Sequence, residues 1–149
     1  MKEVIEHLTK LLECDKMIIT GSFALKQVGL TDKVKDLDIV LVKPSENALS
    51  VLSRLNEPYG DKDYPQDPTQ FRVNINGVSV DVWCKEKDEP SIEIKYEGIS
   101  INIAMVSSII KAKKRFKRLK DILQLKNIAE KFYTRKDMEI FLSVEQAKY

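Results

Sequence analysis

The sequence predicts an α/β (α+β) protein, a small mixed β-sheet with flanking helices and a helical carboxy-terminal tail. Three observations lead there. Apolar residues change repeatedly between helical and alternating spacing along the first two thirds of the chain. The pair Asn76-Gly77 joins two alternating runs, the strongest short-range sign of a hairpin. From about Val106 to Ala147 the spacing is helical, with breaks expected near Arg115 to Lys117 and at Thr134.

Taken in order, Val4, Ile5, Leu8, Leu11 and Leu12 recur at helical spacing, which predicts an amphipathic helix ending near Cys14. "KMIIT" reads as a short buried strand that stops at Gly21-Ser22, and "FALKQVG" as a short helix closed by Gly29. "DLDIVLV" is a second central strand, and Pro44-Ser45 opens a helix through about Leu55. The segment from Asn56 to Thr69, with Pro58, Gly60, Pro65 and Pro68, is a long loop. A two-residue turn at Asn76-Gly77 pairs Ile75 with Val78, Asn74 with Ser79, Val73 with Val80, and Arg72 with Asp81. "SIEIKYEGISINIA" reads as a further strand pair about Glu97-Gly98, with Ile92, Ile94, Ile99, Ile101 and Ile103 alternating.

A chain of 149 residues suits a single domain, with a core at about 16–104 and helices at about 105–149. Its 43% hydrophobic and 32% charged residues fit a globular chain and exclude a disordered one. No apolar run approaches a membrane span, and the amphipathic amino terminus does not read as a leader, so a cytoplasmic protein is expected. Cys14 and Cys84 fall in segments that read as core helix and core strand, and are expected reduced and buried. His7, the one histidine, reads as a surface residue, which argues against zinc and Ser-His-Asp chemistry. Trp83 and Tyr96 read as packing residues.

Three features carry chemistry. Gly21-Ser22 stands where a strand meets a helix, either an ordinary helix start or a turn whose free N–H groups favour a phosphate, with the serine able to cap the helix. Asp36 and Asp38 alternate at the mouth of a strand and so share one face. They are a solvated pair, salt-bridged to Lys33 or Lys35, or they bind a cation. Asp81 is a carboxylate among Val78, Val80, Val82 and Trp83, with Arg72 opposite as an ion-pair partner that could also orient it or meet a phosphate. Carboxylate oxygens near a phosphate turn suit Mg²⁺, which takes one or two of them together with substrate phosphates.

Gly-Ser after a strand, Asp-x-Asp on the next, and a third Asp in "VDVW" resemble the signature of the DNA polymerase β-like nucleotidyltransferase superfamily. "KAKKRFKRLKD" is similar to a Lys-x6-Arg-x-Lys-Asp stretch of small standalone members, among them lincosamide-type antibiotic nucleotidyltransferases and abortive-infection-type proteins. Here that stretch is Lys111, Arg118, Lys120 and Asp121, with Gln124 where those relatives often carry a further Asp. The resemblance spans about Ile18 to Leu125. It implies transfer of a nucleoside monophosphate from a nucleoside triphosphate to a hydroxyl, with pyrophosphate release and Mg²⁺, or Mn²⁺ in its place, as cofactor. Gly21, Ser22, Arg118 and Lys120 would bind the nucleotide, Asp36, Asp38 and Asp81 would ligate metal, and Arg72 and Lys111 would support them.

The acceptor, whether small molecule, protein or tRNA end, is not named by these residues, and the 56–69 loop is where its selection is expected. The alternatives are a non-catalytic antitoxin of this fold, paired with a toxin, and a nucleic-acid-binding module using the basic run of Lys111, Lys113, Lys114, Arg115, Lys117, Arg118 and Lys120. A homodimer that completes the acceptor site is a further expectation.

Overall fold

The structure, a computed structural model, describes residues 1–34, 36–57 and 68–116, the side chains of 113–116 excepted. The chain begins with α1 (Lys2–Leu11), which turns Val4, Ile5 and Leu8 into the core. This helix stops short of Cys14, because the Leu12 N–H closes it on the Leu8 carbonyl at 2.9 Å while Leu12 itself is extended. Cys14 therefore opens β1 (Cys14–Thr20) instead of ending a helix. Both Cys14 and Cys84 are free thiols, and each is half-buried rather than buried.

The next helix, α2 (Gly21–Gln27), is short, and Gly29 closes it as expected. Gly29 has φ +78, its N–H bonds Lys26, and the Leu30 N–H reaches back to the Leu25 carbonyl at 2.9 Å. Then come β2 (Leu37–Pro44) and α3 (Glu46–Leu55). Ser45 caps α3, its Oγ accepting from the Ala48 N–H at 3.0 Å.

Four strands form two hairpins, β3 (Gln70–Ile75) with β4 (Val78–Lys85), and β5 (Ser91–Tyr96) with β6 (Ile99–Ala104). The first has the register expected from its turn, Arg72 opposite Asp81 included. Both turns put their two residues at positive φ, Asn76 and Gly77 at 52 and 83, Glu97 and Gly98 at 45 and 87. The last described helix, α4 (Val106–Phe116), packs on α2 and carries Lys111 on an exposed position.

The six strands form one mixed sheet in the order β3-β4-β2-β1-β6-β5. At its centre β2 runs antiparallel to β1, and each hairpin adds its second strand parallel to one of them, β4 to β2 and β6 to β1. Central strands are covered on both faces, which is why Ile39 to Val42 is unbroken apolar sequence and all four residues are buried. The helices and sheet share one core, in which Leu8, Ile18, Leu41, Leu52 and Ile103 are almost wholly shielded. Trp83 and Tyr96 pack against it from partly buried positions, and His7 is exposed, as expected.

Candidate functional site

One cross-strand row concentrates the polar groups. Thr20 of β1 is opposite Asp38 of β2, Asp38 is beside Asp81 of β4, and Asp81 is opposite Arg72 of β3. Residues in such a row point to the same face of a sheet. Two carboxylates are thus neighbours on adjacent parallel strands, whose backbones run about 4.8 Å apart. Local sequence does not show this, because β2 and β4 are joined by a long connection through α3 and β3; only the family resemblance brings the two aspartates together.

Asp81 is the one charged residue buried among those described, with 7% of its surface exposed. Arg72 makes that burial tolerable. Its Nε donates to Asp81 Oδ1 at 2.8 Å and its second guanidinium nitrogen to Oδ2 at 3.3 Å, a two-pronged charge-assisted contact. Because β3 is an edge strand, the backbone of Arg72 would otherwise face outward. It is instead held by the segment after α3: the Arg72 N–H donates to Asn56 Oδ1 at 2.9 Å, and the Glu57 N–H donates to the Arg72 carbonyl at 2.7 Å. Asn56 is a functional candidate that sequence reasoning missed. Its only sequence signal is an amide side chain directly after the end of a helix.

Gly21 is bound to the same row by shape. It has φ +65, a conformation costly for any residue with a side chain. A Cβ placed there would overlap Asp38 Oδ2 and lie 3.0 Å from Asp38 Cγ. The turn therefore needs glycine twice over, once for its backbone and once because the Asp38 carboxylate occupies that space. Ser22 follows in the first turn of α2. The N-cap position belongs to Thr20, so Ser22 does not cap the helix as expected; the turn at Gly21 shifts the helix start one residue earlier.

Asp36 departs from expectation. Only Asp38 belongs to β2, which starts at Leu37, and Asp36 lies in the bend before it. The ladder with β1 ends at Asp38, because β1 stops at Thr20 where Gly21 turns the chain into α2, and the ladder with β4 runs only one residue further, to Leu37. Among the described residues, no three or more His, Cys, Asp or Glu side chains gather where they could hold a metal ion. Asp38 and Asp81 still offer the one or two carboxylates that Mg²⁺ draws from a protein when phosphates complete its shell. The donor set fits that ion as a shared site, not as an all-protein cage.

Lys111 lies on α4, Arg118 and Lys120 lie outside the described residues, and so does most of the 56–69 loop. Lys35, one proposed partner of the aspartates, is outside them as well. Burial pushes the Cys84 thiol up to about 11, with Cys14 adding to the effect, and raises Cys14 itself. Burial, with Glu97 nearby, also raises Tyr96.

No protein-family model matches the chain, and no curated protein matches it. Solved structures do. A candidate nucleotidyltransferase from Thermotoga maritima superposes with a TM-score of 0.51 at 15% identity, over 84% of this chain and 91% of that one. The protein JHP933 from Helicobacter pylori gives 0.51 at 18% identity, over 95% of this chain and 70% of its own. The described chain therefore has a nucleotidyltransferase fold, a six-stranded mixed sheet flanked by helices. Among the described residues, no helix is long and apolar enough to cross a membrane.

Proposed function

We propose that this chain is a nucleotidyltransferase that moves a nucleoside monophosphate from a nucleoside triphosphate to a hydroxyl acceptor and releases pyrophosphate. The observation that supports this most is the pairing of Asp38 with Asp81 on adjacent strands, with Gly21 packed against the Asp38 carboxylate, in a sheet of nucleotidyltransferase type. Two neighbouring carboxylates are costly for a fold that needs only a core, and useful to one that binds a cation.

Asp38 and Asp81 would hold Mg²⁺, with Asp36 contributing from the bend ahead of β2. When bound, Mg²⁺ would offset the charge that accumulates on the phosphoryl oxygens during in-line displacement. Gly21 and Ser22 would receive the triphosphate, the glycine allowing close approach of the backbone. Asp81 faces the same side as Asp38 and would take the proton of the attacking hydroxyl. Lys111, Arg118 and Lys120 would balance the charge of the departing pyrophosphate.

The test is direct. Purified protein is incubated with Mg²⁺ and each labelled triphosphate in turn, against RNA, protein and small-molecule acceptors. Label transferred to one acceptor class, with pyrophosphate released in equal amount, supports the reading and names the substrate. Absence of transfer across all three classes counts against it.

A further inference from the structure

We infer that Arg72 is a positioning residue that acts as a built-in counter-cation on Asp81, so that the Asp38–Asp81 pair binds a divalent ion weakly on its own and strongly only together with a triphosphate. The inference rests on the proposed metal role of this pair and concerns the order in which metal and nucleotide arrive.

The row holds two carboxylates and one guanidinium, so Arg72 cancels the charge of one acid of the pair. Its contact is two-pronged, at 2.8 and 3.3 Å, to a side chain that is only 10% exposed. The guanidinium is not a loose surface group that an incoming ion would displace. Asn56 and Glu57 hold the edge-facing N–H and carbonyl of Arg72, giving an edge residue the support of an interior one. An ion against Asp81 therefore sits beside a fixed positive charge and is repelled by it. A triphosphate reverses the balance: it brings several negative oxygens, which both the ion and Arg72 attract.

The sign separates this from a purely structural role. Loss of a structural prop would loosen Asp81 and weaken metal binding, whereas loss of a counter-cation would strengthen it. Binding of Mn²⁺ alone, without nucleotide, is measured on the full chain by the paramagnetic resonance of the free ion. The proteins compared are wild type, Arg72→Gln, Arg72→Met and Asp38→Asn, with circular dichroism as the check on folding. Arg72→Met retains an unbranched apolar stem along the sheet and provides the reading if Arg72→Gln does not fold. The expected result is binding on the order of tenfold tighter in the Arg72 variants than in wild type, with the gain abolished when Asp38→Asn is added. Equal or weaker binding in folded Arg72 variants overturns the inference. If wild type binds through Asp38 and the variants show no gain, the inference alone fails. If no protein binds Mn²⁺, the metal reading of the pair fails with it.

Discussion

The two hairpins flank the central strand pair in the same way, yet only one carries a buried charge. Both turn on two residues of positive φ, both place their second strand parallel to a central strand, and both leave their first strand at an edge. In β5–β6 the inward positions are isoleucines and Tyr96, with Ile101 and Ile103 buried, and the cross-strand contact of Lys95 with Ser100 is exposed. In β3–β4 the corresponding apolar run of Val73, Val80 and Val82 is joined by Arg72 and Asp81. The β5–β6 hairpin, whose packed face carries isoleucines and Tyr96, shows that the architecture does not require an ion pair. The pair in the other hairpin must be explained by what it faces, and it faces Asp38.

Glycine separates the site from the β5–β6 hairpin most strongly. Gly21 and Gly98 both have positive φ, but a Cβ at Gly98 meets nothing, whereas one at Gly21 strikes Asp38. Gly98→Ala should cost about 1 kcal/mol through its backbone alone and leave nucleotidyl transfer unchanged. Gly21→Ala should cost about 2 kcal/mol and remove most transfer, because the Asp38 carboxylate is displaced. Denaturant melts and transfer rates of the two variants, read side by side, test this.

The ion pair gives the next largest effect. Arg72→Met leaves Asp81 buried without its guanidinium and should destabilise the fold by about 2 kcal/mol, below the usual cost for a broken buried pair because Arg72 is itself 33% exposed. Adding Asp81→Leu should recover most of that loss and make this hairpin resemble its isoleucine counterpart. A double-mutant cycle by urea denaturation measures it; losses that simply add would mean that Arg72 and Asp81 contribute independently and not as a pair.

The smallest effect is a pH dependence, to which the β3–β4 side contributes through Cys84. The Cys84 thiol rises from the ordinary 9.0 to about 11 on folding, chiefly through burial. The folded chain thus holds its proton more tightly than the unfolded one. The resulting stability is fully present below about pH 9 and is lost as the pH climbs towards 11. Stability measured across that range should fall in wild type and fall less in Cys84→Val. At pH 8 the same thiol should alkylate more slowly than glutathione.

How far the sequence foretold this site depends on the range of the contact. Arg72 opposite Asp81 was legible because a two-residue turn at Asn76-Gly77 fixes a register that runs only nine positions from residue to residue. The capping of α3 by Ser45 and of α2 by Gly29 was legible for the same reason, since both are local. Asp38 beside Asp81 was legible only through the family resemblance, because nothing local says that β4 inserts against β2 and not against β1. The hold of Asn56 on Arg72 and the contact of Gly21 with Asp38 are also tertiary, and residue type alone does not encode them. Asp36 was misplaced by treating the alternation in "DLD" as strand when the partner strand ends at Thr20.

On the proposed reading, the Asp38–Asp81 pair carries nucleotidyl transfer and the fold does not depend on it. Asp38→Asn tests this most directly, because the side chain keeps its shape against Gly21 and loses only its charge. Transfer of labelled nucleoside monophosphate to the identified acceptor should drop at least ~100-fold, with an unchanged circular dichroism spectrum and melting temperature. Full transfer by a folded Asp38→Asn protein would contradict the account.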